Sequence, residues 1–229
     1  MKCLFGRLLI ELKKKIKQKQ PALDALGPEL EKYLNYSGGF FIEVGANDGY
    51  SQSNTYFLEK ERGWCGILIE AIPDLYKECR QLRSNSTTYN CALVSSNYSD
   101  CYITMHYAGL MSLVDGALKL RSAEKKHISR GLKVQYIQNS YTVKVPARTL
   151  TSILNEYSDV PEIDFFSLDV EGYEEQVLQG LDFKKYSPKY ILVEARFFDA
   201  VHNCLKGRYN LLKKINKFDC LYQRKDLSD

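Results

Sequence analysis

The stretch FIEVGANDG combines two glycines and two carboxylates at the end of an apolar run. Gly45 and Gly49 allow the backbone to approach a ligand closely and a helix to begin sharply. A dinucleotide-binding turn requires G-x-G-x-x-G facing a pyrophosphate, and Asn47 occupies the position of the middle glycine. Glu43 and Asp48 flank the turn, and their charge disfavours a diphosphate and favours a cation. The turn therefore predicts a ligand that carries positive charge.

Further acids end apolar runs downstream, in the order expected for strands of a parallel sheet. Glu70 ends GILIE, where a carboxylate can accept hydrogen bonds from ribose hydroxyls. Asp169 ends FFSLD and Glu194 ends YILVE. Ligands of open parallel sheets bind beyond the carboxyl ends of the strands, so these acids are expected to line one site. S-adenosylmethionine combines a ribose with a cationic sulfonium and an ammonium group, and it fits this set of residues.

The same acids supply candidate bases for methyl transfer to a hydroxyl. A sulfonium methyl is already activated, so the enzyme must align the acceptor oxygen and remove its proton. Asp169 is the preferred catalytic base because it ends the central strand beside the glycine turn. Glu194 and His202 are second choices, and Glu171 and His106 are also available. Asp169 and Glu171 could hold Mg²⁺, but such spacing is common without metal, and no metal is predicted.

The residues after Asp169 also bear on the acceptor. Methyltransferases that act on planar amino groups carry D/N-P-P-Y/F/W after this strand, whereas this chain has DVEG. Methylation of a nucleic-acid base is therefore disfavoured, and a lysine or peptide acceptor stays open.

Composition and charge define the class of protein. The 229 residues are 45% hydrophobic and 12% aromatic, which suits one globular domain with a sizeable core. Residues 1–20 hold seven Lys or Arg against one acid, Glu11, so the rest carries about −2 of the total charge of +4. This balance argues against a nucleic-acid-binding body. Seven cysteines at wide spacings, without a CxxC pair, indicate neither a zinc site nor a disulfide framework.

The N-terminus is predicted to form a basic amphipathic helix, with apolar residues at every fourth position from Leu4 to Ile16. Such helices more often pack on the domain or on a partner subunit than on a membrane surface. No stretch approaches the roughly 18 apolar residues of a membrane span, and the N-terminal apolar run lacks a secretory cleavage site. We therefore expect a cytoplasmic protein with an N-terminal helical extension, residues 1–36, and a single domain, residues 37–229.

Apolar runs alternate with helical patterns from Phe40 onward, which predicts a mostly parallel α/β sheet with helices on both faces. The predicted strands are FFIEV, GILIE, TTYNCALV, FFSLD, YILVE and FDCLYQ.

Residues 95–147 break this alternation. YITMHYAG, LKVQYIQ and YTVKVPA alternate apolar with polar residues, and a polar helical stretch runs from Leu118 to Arg130. Insertions over strand ends commonly recognise substrates. We predict a β-rich insertion that forms the acceptor wall, with contributions from Tyr107, Ser112, His127 and Arg130.

Five segments together resemble the FkbM-type family of S-adenosylmethionine-dependent methyltransferases. They are FIEVGANDGYSQSNTYFLE, GILIEAIP, NCALVSS, VPARTLTSIL and IDFFSLDVEGYEEQVLQGL, in order between about residues 38 and 196. The resemblance implies a class I methyltransferase fold, with a Rossmann-like sheet, and O-methylation of a sugar, a glycan or another small polyhydroxylated acceptor. The chain departs from relatives at Ala71, where they often have Pro, and in having one strand-like run after Glu194, so a missing or displaced last strand is expected.

Roles for individual residues follow from matching these motifs. The residues expected to bind the donor are Glu43, Gly45, Asn47 and Gly49 at the glycine turn, Glu70 at the ribose, Cys91 and Ala92 at the adenine, and Asp169 near the transferred methyl.

Two other functions stay open at this stage. A nicotinamide-dependent sugar oxidoreductase would use the same kind of sheet, and the missing middle glycine counts against it. A non-catalytic adaptor with a Rossmann fold would bind a partner through the N-terminal helix, and the intact acids at the strand ends count against that.

Overall fold

The computed structural model describes residues 26–227. The basic helix predicted over residues 1–20 lies outside the described residues. The described α-helices are α1 (Leu26–Glu31), α2 (Tyr56–Arg62), α3 (Pro73–Leu82), α4 (Arg121–Gln135), α5 (Leu150–Leu154), α6 (Glu174–Gln179) and α7 (Phe198–Leu205). The strands are β1 (Phe40–Val44), β2 (Cys65–Ile69), β3 (Thr87–Tyr89), β4 (Ala92–Leu93), β5 (Tyr102–His106), β6 (Leu113–Val114), β7 (Thr142–Arg148), β8 (Phe165–Leu168), β9 (Tyr190–Glu194), β10 (Tyr209–Lys214) and β11 (Asp219–Arg224).

Seven strands form one sheet in the order β10-β11-β9-β8-β1-β2-β3. Within this sheet, the neighbouring strands β3, β2, β1, β8 and β9 pair in parallel. β11 lies between β9 and β10 and is antiparallel to both. β1 is central and pairs with both β2 and β8, so the carboxyl ends of these three strands meet at one edge of the sheet. The prediction of a Rossmann-like, mostly parallel sheet is confirmed.

Helices cover both faces of this sheet because its central strands are apolar on both sides. Ile42 and Phe166 belong to a core cluster that includes residues of α5, α6 and α7. Phe41 and Phe165, their neighbours in sequence, belong to a second cluster that includes residues of α1, α2 and α3. Successive side chains of a strand point to opposite faces, so each strand contributes to both cores.

Two strand predictions require correction. TTYNCALV is not one strand: Thr87–Tyr89 forms β3 at the edge of the large sheet, whereas Ala92–Leu93 forms β4 and pairs with β7 in a second sheet. Two strands, not one, follow Glu194, so no last strand is missing. The unpredicted strand, Tyr209–Lys214, is an edge strand with exposed lysines, and an edge strand needs no continuous apolar run.

The second sheet has the order β4-β7-β5-β6. The predicted insertion, residues 95–147, supplies β5, β6, α4 and most of β7. β5 and β7 pair antiparallel over Tyr102–His106, as the alternating pattern predicts. The prediction of a strand at LKVQYIQ is wrong, because α4 extends through Gln135 and ends at Tyr136 in a left-handed conformation. Over a run as short as LKVQ, the alternation of apolar and polar residues in a strand cannot be separated from the helical period of 3.6 residues.

No helix among residues 26–227 is both long enough and apolar enough to cross a membrane.

Candidate functional site

The glycine turn brings the end of β1 against the end of β8. Gly45 has φ +83°, and its N–H donates to the Ile69 carbonyl at 3.0 Å. A Cβ at this position would lie 2.0 Å from the backbone oxygen of Asp169, so only glycine fits. Asn47 also has positive φ, and its N–H donates to Glu70 Oε2 at 2.7 Å. The turn therefore joins three strand ends in one backbone arrangement.

Glu43 organises the loop that follows the turn. Its buried carboxylate accepts hydrogen bonds from Ser53 Oγ at 2.8 Å, from the Asn54 N–H at 2.8 Å and from Thr55 Oγ1 at 2.6 Å. Buried carboxylates are stable when their oxygens are satisfied in this way. Glu43 therefore fixes the cavity wall in addition to lining it.

Arg83 supports the same loop from behind and was not predicted from the sequence. Its fully buried guanidinium donates to Glu59 Oε2 at 2.8 Å, to Thr55 Oγ1 at 2.8 Å and to the Gly49 carbonyl at 3.1 Å. Gly49 packs against Arg83 and Cys79 and does not line a described cavity. Gly49 is therefore a residue of the predicted donor set that the structure places in close packing behind the turn.

Glu70 lies at the end of β2 with both carboxylate oxygens in use. Oε2 accepts from Asn47, as described above, and Oε1 accepts from the Ile72 N–H at 2.7 Å. Burial raises the pKa of Glu70 to about 7, and the two backbone hydrogen bonds oppose this shift. Each carboxylate oxygen retains a further lone pair that can accept a hydrogen bond from a ligand hydroxyl.

Two neighbouring cavities open at these strand ends, and we name them by their walls. The turn cavity is lined by, among others, Glu43, Gly45, Asn47, Glu70, Cys91, Ala92, Ser112 and Asp169. The insertion cavity is lined by, among others, Gln52, Leu110, Arg130, Val134, Asp169, Glu194, Arg196 and Phe218. Asp169 lies in both walls, at the border between the two cavities. All predicted donor residues except Gly49 line the turn cavity.

Four carboxylates, which we call the acid cluster, meet one guanidinium at the ends of β8 and β9. The acid cluster consists of Asp169, Glu171, Glu174 and Glu194. Arg196 Nε donates to Glu194 Oε2 at 3.0 Å, and Arg196 Nη2 donates to Glu171. One cation cannot neutralise four carboxylates, so repulsion between like charges favours protonation within the cluster.

The electrostatics of the acid cluster follow from this shortage of positive charge. Burial, then the neighbouring Asp169 and Glu171 carboxylates, raise the pKa of Glu194 to about 10. Burial and Asp169 raise the pKa of Glu171 to about 8, against the pull of Arg196. Asp169 is exposed to solvent at the cavity wall. The protein atoms that surround its carboxyl group nevertheless raise its pKa, and a hydrogen bond to Glu194 opposes that rise. Because the pKa of Glu194 lies above neutral pH, Glu194 is the carboxyl that can donate in its hydrogen bond with Asp169.

The carboxylates that lie close enough for a shared cation differ from Asp169 and Glu171, the pair that the sequence suggested could hold Mg²⁺. Oxygens of Asp169, Glu174 and Glu194 lie within 4.8 Å of one another, and Glu171 is not part of this group. Glu174 accepts a hydrogen bond from the Gly172 N–H at 2.8 Å, and Glu194 is bonded to Arg196. These protein contacts hold the carboxylates in place, so the structure adds no support for Mg²⁺ at Asp169 and Glu171.

His202 lies away from both cavities. Its ring stacks on Phe198 with centroids 5.3 Å apart, and Nδ1 lies 3.3 Å from the Tyr222 hydroxyl. It lines neither cavity, so the structure does not bring His202 together with Asp169 and the other predicted site residues. His106, at the end of β5, pairs with Asp115 at 2.8 Å and does not line either cavity.

The predicted acceptor wall divides between the two cavities and the interior. Ser112 lines the turn cavity and Arg130 lines the insertion cavity. Tyr107 lines neither, and its ring stacks on Tyr141 with centroids 4.7 Å apart. His127 is buried, with Nε2 3.4 Å from Glu171 Oε2, and burial lowers its pKa to about 4. His127 therefore joins α4 to the acid cluster as a neutral ring.

Three further residues of the site escaped the sequence analysis. Ser167, on β8, and Asn54 line both cavities, and Asn54 Nδ2 donates to Ser167 Oγ at 3.0 Å. Arg196 offered a signal, because a cation two residues after a strand-end acid is well placed to pair with it. Ser167 and Asn54 offered none, since isolated small polar residues occur throughout the chain.

Residues 43–219 match the family model described as the methyltransferase FkbM domain. A solved structure, the TehB-like SAM-dependent methyltransferase from Corynebacterium glutamicum ATCC 13032 Kitasato, aligns over 96% of this chain and 96% of its own, with 9% identity and a TM-score of 0.44. No curated protein matched the chain.

Proposed function

The chain belongs to the FkbM methyltransferase family, and we propose that it transfers a methyl group from S-adenosylmethionine to a hydroxyl of a sugar, a glycan or another small polyhydroxylated acceptor. The observation that carries this proposal is the position of Asp169. Its carboxylate lies at the border of the turn cavity and the insertion cavity, within an acid cluster that has one neighbouring guanidinium. A base placed there can reach an acceptor in one cavity and the reacting end of a donor in the other.

The turn cavity has the donor chemistry that S-adenosylmethionine requires. Gly45 leaves the backbone bare at the turn, Glu70 offers lone pairs to ribose hydroxyls, and Cys91 and Ala92 form an apolar surface for an adenine ring. The excess of carboxylates near Asp169 favours the sulfonium and ammonium charges. When bound, the cofactor supplies an activated methyl group.

The acid cluster supports a hydroxyl as the acceptor. Asp169 would accept the hydroxyl proton as the acceptor oxygen is alkylated. Glu194, which retains its own proton, would donate a hydrogen bond to Asp169 and keep that carboxylate oriented. An amine acceptor needs less assistance from a base, and the chain lacks the motif that holds planar amino groups. We therefore propose a small hydroxylated acceptor, and no nucleic acid.

Binding of the donor can be tested by isothermal titration calorimetry with S-adenosylmethionine, S-adenosylhomocysteine and NAD. We expect micromolar binding of the first two and none of NAD. Glu70→Gln should weaken binding by roughly tenfold, because a charged hydrogen bond to ribose is lost. Glu78→Gln on α3 is the control, since this exposed acid lies outside both cavities.

Turnover can be tested with a methyl-labelled donor and a panel of sugars, polyols, lysine peptides and oligonucleotides. Label in an ether product that requires Asp169 would support the proposal. Binding of NAD alone would favour the oxidoreductase, and label in lysine or nucleic acid would contradict a hydroxyl acceptor. Binding of none of the three compounds would favour the adaptor.

A further inference from the structure

Helix α4 presents an excess of positive charge beside the insertion cavity. None of its five basic side chains forms an ion pair with residues 26–227 of the structure. Its one acid, Glu124, is buried and accepts a hydrogen bond from the Leu118 N–H at 3.3 Å. The five basic residues of α4 are Arg121, Lys125, Lys126, Arg130 and Lys133.

Arg130 is the member of this set that lines the insertion cavity. Val134, one helical turn further on, lines the same wall, so this face of α4 is turned toward the cavity. Gln135 fastens the helix there: its side-chain oxygen accepts from the Leu110 N–H at 2.7 Å, and its amide donates to the Ala108 carbonyl at 3.0 Å. Arg130 is thus presented by an anchored element.

The two cations of the insertion cavity differ in what they already bind. Arg196 is engaged with Glu171 and Glu194. Arg130 has no hydrogen bond or ion pair to any described residue. An arginine at a cavity wall can bind a carboxylate or a phosphate through two parallel N–H···O bonds. The wall of the insertion cavity therefore contains both Asp169, the proposed base, and an arginine without a described polar partner.

We propose that the acceptor carries a carboxylate or a phosphate in addition to its reactive hydroxyl, and that Arg130 binds this anionic group in the insertion cavity. The inference rests on the proposed function, since it assumes that methyl transfer occurs at Asp169. The remaining cations of α4 raise the local concentration of anions around this helix. A small acidic sugar fits this arrangement better than a polyanionic surface, because Arg130 lines a cavity.

The test uses the full-length protein saturated with S-adenosylhomocysteine, and three sugar probes: D-glucuronate, D-glucose 6-phosphate and neutral D-glucose. Binding is measured by calorimetry, and methyl transfer to each sugar is measured with a labelled donor. We expect one of the anionic probes to bind at least about tenfold more tightly than glucose. The preferred probe identifies the anion as carboxylate or phosphate.

Three variants separate a direct contact from general attraction. Arg130→Ala should remove the preference for the anionic probe, and Arg130→Lys should restore part of it, because a lysine keeps the charge and loses the paired geometry. Arg121→Ala is the matched control, since this exposed arginine begins α4 and lines neither cavity. It should change the affinity by less than about twofold.

Each contrary result has its own meaning. Binding of S-adenosylhomocysteine without any preference for the anionic probes would overturn the inference and leave the proposed function standing. Equal losses in Arg121→Ala and Arg130→Ala would replace the specific contact with attraction of a polyanion by the whole helix. Failure to bind S-adenosylhomocysteine would remove the proposed function, and the inference with it.

Discussion

Replacement of Gly45 by alanine tests the donor site where the structure is most restrictive. The added Cβ would lie 2.0 Å from the Asp169 backbone oxygen, whereas even tight contacts of this kind exceed 3.0 Å. The end of β8 or the turn must therefore retreat by roughly 1 Å. That shift would separate the Asp169 carboxylate from the turn that is proposed to hold the donor.

Gly63 provides the matched control for the backbone conformation. It has φ +65° at the end of α2, and nothing lies within 4 Å of an added Cβ. Gly63→Ala should therefore cost only the left-handed conformation, about 1–2 kcal/mol of the free energy of unfolding. Gly45→Ala, at φ +83°, carries the same cost and in addition the collision with the Asp169 backbone.

Two measurements distinguish these variants. Chemical denaturation should show a loss of about 1–2 kcal/mol for Gly63→Ala and a larger loss for Gly45→Ala. Because misplacement by about 1 Å can cost about 100-fold in rate, methyl transfer should fall by that factor for Gly45→Ala and stay near wild type for Gly63→Ala. S-adenosylhomocysteine binding should weaken only for Gly45→Ala. Unchanged donor affinity and activity in a folded Gly45→Ala protein would refute the assignment of the turn.

Three other predictions concern the acids and the buried cation. Asp169→Asn should lower the rate of methyl transfer, measured with a labelled donor, by about 10²-fold or more, because the base is lost. Glu194→Gln should keep most of the rate, since Glu194 is already neutral. The reverse ranking of the two variants would exchange their roles. Burial raises the pKa of Glu70 from 4.5 to about 7. Between these two pH values the folded apoprotein holds a proton that the unfolded chain releases, so the stability of the folded protein should fall as the pH rises from about 4.5 to about 7. Affinity for S-adenosylhomocysteine should rise over the upper part of that range, and Glu70→Gln should flatten both pH profiles. Arg83→Met should lower the free energy of unfolding by about 3–5 kcal/mol in denaturant, because the buried Glu59 carboxylate loses its fully buried guanidinium partner. The exposed Arg80→Met should change it by less than about 0.5 kcal/mol, and equal effects would contradict a structural role for the buried guanidinium.

The meeting of the glycine turn with the strand-end acids could be predicted because its signals are local. Each of the acids Glu70, Asp169 and Glu194 ends an apolar run, and parallel pairing brings those ends to one edge of the sheet. Gly45 sits at the first of these ends, and the strand pairing that surrounds it is fixed by continuous apolar sequence. The chemistry of this edge therefore follows from short-range patterns and one topological rule.

The supporting contacts could not be predicted because they join distant segments. Arg83 reads as the polar end of an amphipathic helix, and only the folded chain buries it against Glu59 and the loop after the glycine turn. Gln135 lies in a run that fits either a strand or a helix, and its contacts with Leu110 fix α4 in place. The position of His202 depends on how α7 packs on β11, which strand patterns do not specify.

The acid cluster explains how one site can accommodate both the reactants and the products of the proposed reaction. Transfer from a sulfonium to a hydroxyl removes a positive charge from the donor and releases a proton from the acceptor. A proton taken up at Asp169 replaces the lost positive charge within the same cavity, so the net charge of the site and its ligands is unchanged. The pKa of Glu171, raised to about 8, suits a cluster that gains and loses a proton near neutral pH. It follows that binding of S-adenosylmethionine should release protons from the cluster, whereas binding of the neutral thioether should release fewer, and calorimetry in buffers of different ionisation enthalpy measures that difference directly.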